Sequence, residues 1–268
     1  MTVRAALAQA AESLQAHGVE APLVDAEHLL GHVLGVSRTA LYADGARELS
    51  PDDRSRFDEL VARRAGREPL AYVLGEWGFR RLMLRLDRRA LIPRPETEVL
   101  VERCLALLAG LQRPHVLDVG VGSGAVALAI ADEHRGARVT GVDVSEEALD
   151  LARENAERTG LGIDLRLGGV DEADGEWDLV VSNPPYVSPA DYETLQPEIR
   201  DWEPRSALVG EGLHVELARR VRRGRLALEC GDGQVPQVAG ALEELGYRDV
   251  TITADLTSRD RVVDGRRA

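Results

Sequence analysis

Apolar residues recur three and four positions apart through roughly the first 75 residues, whereas after residue 115 they fall in short unbroken runs separated by helical stretches. The first period predicts helices and the second predicts strands alternating with helices. Val3, Ala6, Leu7, Ala10 and Leu14 form one apolar stripe, with Thr2 placed to cap its start. A second stripe runs through Leu23, Ala26, Leu29, Leu30, Val33 and Leu34 behind Pro22, a residue suited to a first helical position. Ser50-Pro51-Asp52-Asp53 is the strongest start signal: a capping hydroxyl, a proline with no amide to leave unpaired, and two acids facing the positive end of the helix dipole. Phe57, Leu60 and Val61 then make a third stripe.

The period changes over residues 76–92, where Leu82, Leu84 and Leu86 alternate with Met83 and Arg85. That alternation predicts a small β linker. Residues 92–98, IPRPETE, place two prolines around Arg94 ahead of a helical stretch through Val99, Leu100 and Cys104. Further on, HVLDVG (115–120), RVTGVD (138–143), DLRLGG (164–169), DLVVSN (178–183), RLALEC (225–230) and DVTITA (249–254) read as strands, with helices between most of them. Such alternation predicts an α/β fold, a doubly wound and mostly parallel sheet covered on both faces, with ligands at the carboxyl ends of its strands. The expected organisation is a helical domain over 1–75, a β linker over 76–92 and an α/β domain over 93–268. Residues 187–204, with three prolines, Tyr192 and Trp202, read as a loop on the substrate side that orders with a partner.

Charge and composition narrow the chemistry. The 268 residues carry a net charge of −13, and all 33 basic residues are arginine. The absence of lysine excludes Schiff-base chemistry, and the acidic balance disfavours non-specific binding of nucleic acid. No apolar run reaches the ~18–20 residues of a membrane span, and the N-terminus lacks the apolar core of a signal peptide. Cys104 and Cys230 are the only cysteines, far apart and without metal-ligand spacing, so neither a disulfide framework nor a metal site is expected and a reducing cytoplasm fits. Arginine clusters at 80–94 and 219–225 read as solvated faces or, alternatively, as docking surfaces for an acidic partner.

VLDVGVGSGAVALAI (116–130) predicts a buried strand, a glycine turn and a helix. Gly120, Gly122 and Gly124, with Val121 and Ser123 between them, allow a sharp turn and close approach of a ligand to the helix N-terminus. Asp143 ends the following strand, where a carboxylate can accept both hydroxyls of a ribose. The loop also satisfies a dinucleotide fingerprint. Asp118 opposes a pyrophosphate but suits the ammonium and sulfonium of S-adenosylmethionine, which tips the choice toward that cofactor.

The strand DLVVS runs directly into Asn183-Pro184-Pro185-Tyr186. Two prolines form a stiff turn that presents carbonyl acceptors. With the Asn183 side-chain carbonyl and the flat Tyr186 ring, this suits a planar NH₂ group, a carboxamide or an exocyclic base amine. Such nitrogens are weak nucleophiles. Accepting both N–H bonds raises electron density on nitrogen and aims it at an electrophilic methyl, so positioning and fixed dipoles supply the acceleration.

DVGVGSGAVAL followed by SNPPYV resembles the HemK-type glutamine N5-methyltransferases of peptide chain release factors. LIPRPETEVLVE (91–102), DWEPRSALVG (201–210) and DLTSRDRVVDGR (255–266) resemble further segments of that family. The resemblance implies S-adenosylmethionine as cofactor, S-adenosylhomocysteine as product and no metal. It also implies a helical N-terminal domain that holds the release factor, and as substrate the glutamine of its Gly-Gly-Gln loop. Asn183 and the Pro184 carbonyl would hold the glutamine amide, with Pro185 in the turn and Tyr186 against it. Asp118, Gly120, Val121, Gly122, Ser123, Gly124, Asp143 and Asn183 would surround the cofactor. Two departures stand out: Gly168-Gly169-Val170 lacks the family's usual acidic residue, leaving Val170 as the candidate beside the adenine, and residues 212–231 are shorter than usual. A ribosomal-protein glutamine is the related alternative substrate. An adenine-N6 nucleic-acid methyltransferase, a nicotinamide oxidoreductase and a non-catalytic binding module are the others. No nucleic acid, no membrane and a monomer are expected.

Overall fold

The hydroxyls read as caps close the helices they precede. In the computed structural model, which describes residues 1–268, Thr2 Oγ1 accepts from Ala5 N and Ser50 Oγ from Asp53 N at 3.1 Å. The helices they start are α1 (Val3–Ala16), followed by α2 (Pro22–Leu34) and α3 (Arg38–Ala43), and then α4 (Pro51–Ala65) and α5 (Leu70–Leu74). Their stripes meet in one core containing Leu14, Leu29, Leu30 and Phe57. Two compact units result: Met1–Gly75 with Gln196–Trp202, and Glu76–Leu195 with Glu203–Ala268.

The second unit begins with an antiparallel hairpin, β1 (Glu76–Phe79) and β2 (Leu82–Arg85). There follow α6 (Thr97–Leu108), β3 (His115–Val119), α7 (Ala125–Glu133), β4 (Arg138–Asp143), α8 (Glu146–Thr159), β5 (Asp164–Leu167) and β6 (Leu179–Ser182). Single turns α9 (Pro189–Tyr192), α10 (Pro197–Arg200) and α11 (Arg205–Leu208) precede α12 (Leu213–Arg220), β7 (Gly224–Glu229), α13 (Val235–Glu244), β8 (Arg248–Ala254) and β9 (Asp260–Arg267). One seven-stranded sheet has the order β5-β4-β3-β6-β7-β9-β8. The pairs from β5 to β7 are parallel, and β9 runs antiparallel to both β7 and β8.

Both faces of the sheet are covered, so consecutive strand residues enter different cores. Val116 and Val181 pack with Leu100, Leu128 and Leu149 on one face, while Leu117, Val180 and Leu228 pack with Leu217, Val238 and Leu242 on the other. From β3 the chain winds outward through β4 and β5, then returns to place β6 on the other side of β3. The order of winding therefore reverses between β3 and β6, which opens a crevice at their carboxyl ends. The glycine loop follows one of these strands and Asn183 follows the other.

The segment read as a loop, 187–204, is not unstructured: it carries α9 and α10. Glu198 of α10 forms ion pairs with Arg64 at 3.0 Å and with Arg67 at 2.5 Å, inside the helical unit. The 80–94 arginine cluster is also internally neutralised, through Arg80–Glu133, Arg85–Glu154, Arg89–Asp87 and Arg94–Glu203.

Candidate active site

Strand β3 leaves the sheet through Gly120, whose φ of 78° lies in the left-handed region, and a Cβ there would meet nothing within 4 Å. A ligand can therefore approach the backbone at this point. Gly124, φ 85°, serves packing instead: a Cβ would lie 3.1 Å from Leu128 Cδ1 and 3.4 Å from Ala152 Cβ. The loop is pinned from β4, since Val142 O accepts from Gly120 N at 2.8 Å and from Val121 N at 2.9 Å. Asp143 holds both sides of the crevice mouth. Its Oδ2 accepts from Gly122 N at 2.9 Å and its Oδ1 from Ser145 N at 3.0 Å. Each carboxylate oxygen keeps a further lone pair, enough for two hydroxyl donors.

A cavity of about 350 Å³ occupies the crevice. Of the residues singled out in the sequence, Gly120, Gly122, Asp143, Val170, Asn183, Pro184 and Pro185 line it. Val144, Gly168 and Gly169 line it too, and with Val170 they form an apolar slot without large side chains, suited to a flat base. Sequence reading had missed Val144, which is 75% exposed and would have been noticed only as an apolar residue with no core to join.

Asp118, Val121, Ser123, Gly124 and Tyr186 lie outside this lining. Val121 is buried against β4, where a Cβ on Gly141 would come within 2.6 Å of its Cγ2. Ser123 is buried, and its carbonyl accepts from Asn155 Nδ2 at 2.9 Å. Asp118 lies within β3, paired in register with Gly141 and Val181, and is only 2% exposed. Its Oδ2 is buried without a partner. Burial pushes its carboxyl up to about 7 against a backbone hydrogen bond from Ala127, with Asp143 adding to the rise. A nearby cation would hold it ionised.

Tyr186 follows Asn183 by three residues. Its ring stacks on His214, centroids 6.3 Å apart and 26° between planes, and its carbonyl accepts from Gln234 Nε2 at 3.0 Å. The ring edge fits only because residue 231 is glycine, where a Cβ would sit 2.8 Å from Tyr186 Cδ2. Burial pushes the phenol up to about 12, so it stays protonated. His214 is buried and its Nε2 donates to the Glu229 carbonyl at 2.9 Å; burial lowers its pKa, which keeps the ring neutral.

Two of the motif segments prove to be mechanically joined. Glu203, from DWEPRS, accepts from Ile92 N at 3.2 Å and from Arg94 Nη2 at 2.5 Å. It thereby fixes the PRPETE segment whose Thr97 starts α6 beside Asn183. Asn155, fully buried on α8, does the same for the hairpin: Oδ1 accepts from Arg85 N at 2.7 Å and Nδ2 donates to Arg85 O at 3.1 Å. Asn155→Ala strands these groups and the Ser123 carbonyl, and thermal or urea unfolding is expected to report a loss of about 2–4 kcal/mol. An unchanged midpoint would mean that water replaces the side chain without cost.

Comparison with known proteins gives the class first. A T. thermophilus 16S rRNA N2 methyltransferase in complex with AdoMet and guanosine superposes with a TM-score of 0.52 at 20% identity, covering 72% of this chain and 50% of that one. A methyltransferase-domain model matches residues 116–202. The fold is that of the S-adenosylmethionine-dependent methyltransferases, and the chain is such an enzyme. A model of the PrmC N-terminal domain matches residues 5–75. The release factor glutamine methyltransferase of Deinococcus radiodurans is 41% identical, over 100% of this chain and 99% of the relative; that of Fusobacterium nucleatum is 38% identical, over 96% and 77%. This chain belongs to the release factor glutamine methyltransferase family.

Proposed function

We propose that the enzyme methylates the side-chain amide nitrogen of the glutamine in the Gly-Gly-Gln motif of peptide chain release factors, with S-adenosylmethionine as methyl donor. The observation that carries this is a single cavity lined both by Gly120, Gly122 and Asp143 and by Asn183, Pro184 and Pro185. The first group suits a nucleoside and the second a planar NH₂ group. The donor set agrees with the cofactor, since Asp143 offers lone pairs to a ribose and the unpartnered Asp118 Oδ2 supplies negative charge behind the loop.

When bound, S-adenosylmethionine supplies an electrophilic methyl group on a sulfonium. The chain's own residues do the remaining work. Asn183 Oδ1 and the Pro184 carbonyl accept the two N–H bonds of the substrate amide, which localises the lone pair on nitrogen and points it across the cavity. The nitrogen sheds one of its two protons to water, since neither accepting amide carbonyl is basic enough to keep it. Pro184 and Pro185 keep the acceptors rigid, so little reorganisation accompanies the reaction. Glu203 and Arg94 hold the adjoining 92–97 segment. The helical region over residues 1–75 would supply the surface that recognises the release factor, supported by its match to the PrmC N-terminal domain. Such a substrate puts the enzyme in the cytoplasm, with the translation machinery.

The test offers labelled S-adenosylmethionine with purified release factor, with a release factor whose Gly-Gly-Gln glutamine is replaced, and with duplex DNA. Label is expected in the first alone. Label in the second, or in DNA, would contradict the proposal.

A further inference from the structure

A second cavity, of about 330 Å³, adjoins the first. Consecutive stretches of the same segments are divided between the two. Pro184 and Pro185 line the first cavity and Tyr186 the second, Ala207 the first and Gly210 the second, Leu213 of α12 the first and His214 the second. The partition is thin and tied together. Val187 N donates to Leu208 O at 2.9 Å and Gly210 N to Val187 O at 3.3 Å, while a Cβ on Gly210 would lie 2.7 Å from Pro185 O. We propose, on the basis of the function proposed above, that the second cavity is a subsite for the stretch of release factor polypeptide next to the target glutamine, held through its main chain.

The lining offers both hydrogen-bond polarities. His214 is 7% exposed, and its Nε2 must carry the ring hydrogen that the Glu229 carbonyl accepts at 2.9 Å. In the neutral ring Nδ1 is then an acceptor, and no group of the fold donates to it. Asp191 and Glu211 add carboxylates that form no ion pair. Donors come from helix starts. Gly212 and Gln234, the residues ahead of α12 and α13, both line the cavity, and neither caps its helix with a side chain. First-turn amides of both helices are therefore left for a ligand or water. An anion would be opposed by the two carboxylates, and a cation by the positive ends of the two helix dipoles. A polypeptide main chain, with one donor and one acceptor per residue, satisfies both polarities.

Continuity with the reaction site selects which polypeptide. A glutamine whose amide nitrogen meets Asn183 and Pro184 belongs to a chain that must run on from there in both directions. An extended chain advances about 3.3–3.6 Å per residue, so within a few residues of the glutamine it passes the Pro185–Tyr186 partition and reaches the second cavity. Tyr186 is fixed as that divider. Its ring stacks on His214, its carbonyl accepts from Gln234 Nε2 at 3.0 Å, and Gln234 Oε1 accepts from Gly231 N at 3.1 Å. His214 and Gln234 both line the second cavity, so a peptide there packs on the groups that hold the turn carrying the two acceptors.

The experiment uses two substitutions of Gln237, an exposed residue of α13 that lines the second cavity. Gln237→Trp fills the space. KM for release factor should rise about 10-fold, with kcat within about threefold of wild type and the dissociation constant for S-adenosylmethionine unchanged, as when binding shared by ground and transition states is lost. Gln237→Cys takes a thiol-linked photo-crosslinker selectively, because Cys104 and Cys230 are both buried. Irradiated with release factor and S-adenosylhomocysteine, the labelled enzyme should cross-link within about five residues of the Gly-Gly-Gln glutamine, as mapped by peptide mass spectrometry. If the tryptophan variant fails to bind cofactor, the cross-link carries the test. Wild-type KM in the tryptophan variant, cross-links confined to parts of release factor further from the glutamine, or no cross-link from labelled enzyme that binds release factor would each overturn the inference while leaving the proposed function standing. A wild-type enzyme that does not methylate release factor would instead overturn that function, and the inference with it.

Discussion

Replacing Asn183 by alanine is expected to lower kcat by about 10²- to 10³-fold, the size of effect seen when one fixed dipole at a reacting centre is removed. The variant deletes one of two acceptors for the attacking nitrogen and leaves the other, the Pro184 carbonyl, in place. Affinity for S-adenosylmethionine should change little, because Gly120, Gly122 and Asp143, which also line the cavity, are left in place. Single-turnover methylation paired with calorimetric titration of the cofactor separates the two quantities. A variant retaining wild-type kcat would remove the acceptor argument, whereas loss of cofactor binding would mean that Asn183 belongs to the nucleoside wall instead.

Asp143→Ala should produce the complementary result. Its two oxygens already tie Gly122 N and Ser145 N together, so the variant loses ribose acceptors and loosens both sides of the crevice mouth. Hydrogen bonds to charged groups contribute about 1.5–3 kcal/mol each, so cofactor affinity is expected to fall by about 10- to 100-fold or more. At saturating cofactor, kcat should recover to a large fraction of wild type. An unchanged dissociation constant would place the ribose elsewhere. Both variants should fold, since neither side chain enters an apolar core.

Much of this architecture was legible in the chain because local chemistry decided it. Ser50-Pro51-Asp52-Asp53 combines a capping hydroxyl, a first-turn proline and two acids at the positive dipole end, and the sequence 116–130 reads as strand, turn and helix. Strand β9 was not legible as a strand. DRVVDGRR looks solvated, yet Asp264 is 2% exposed because Arg103 pairs with it at 2.7 Å across 161 residues of sequence. Long-range pairing of that kind leaves no local period. The insertion of β9 between β7 and β8 likewise follows from which edges remain to be covered, not from hydrophobic alternation.

The candidate site divides along the same line. Gly120, Asp143, Val170 and Asn183 were found because a turn or a strand end placed them. Sequence did not show the surroundings of Asp118 and Tyr186: the carboxylate is buried within β3, and the ring stacks on His214, 28 residues further along the chain. Glu203 acts through Ile92 and Arg94, more than a hundred residues earlier in the chain, so only the folded chain brings it into the account.

Peptide mass spectrometry of release factor after incubation with the enzyme and S-adenosylmethionine locates the transferred group directly. The account predicts one added methyl, on the fragment ions that contain the side-chain amide of the Gly-Gly-Gln glutamine and on no others. A methyl on any other residue, or an unmodified glutamine beside an enzyme that still consumes its cofactor, would contradict it.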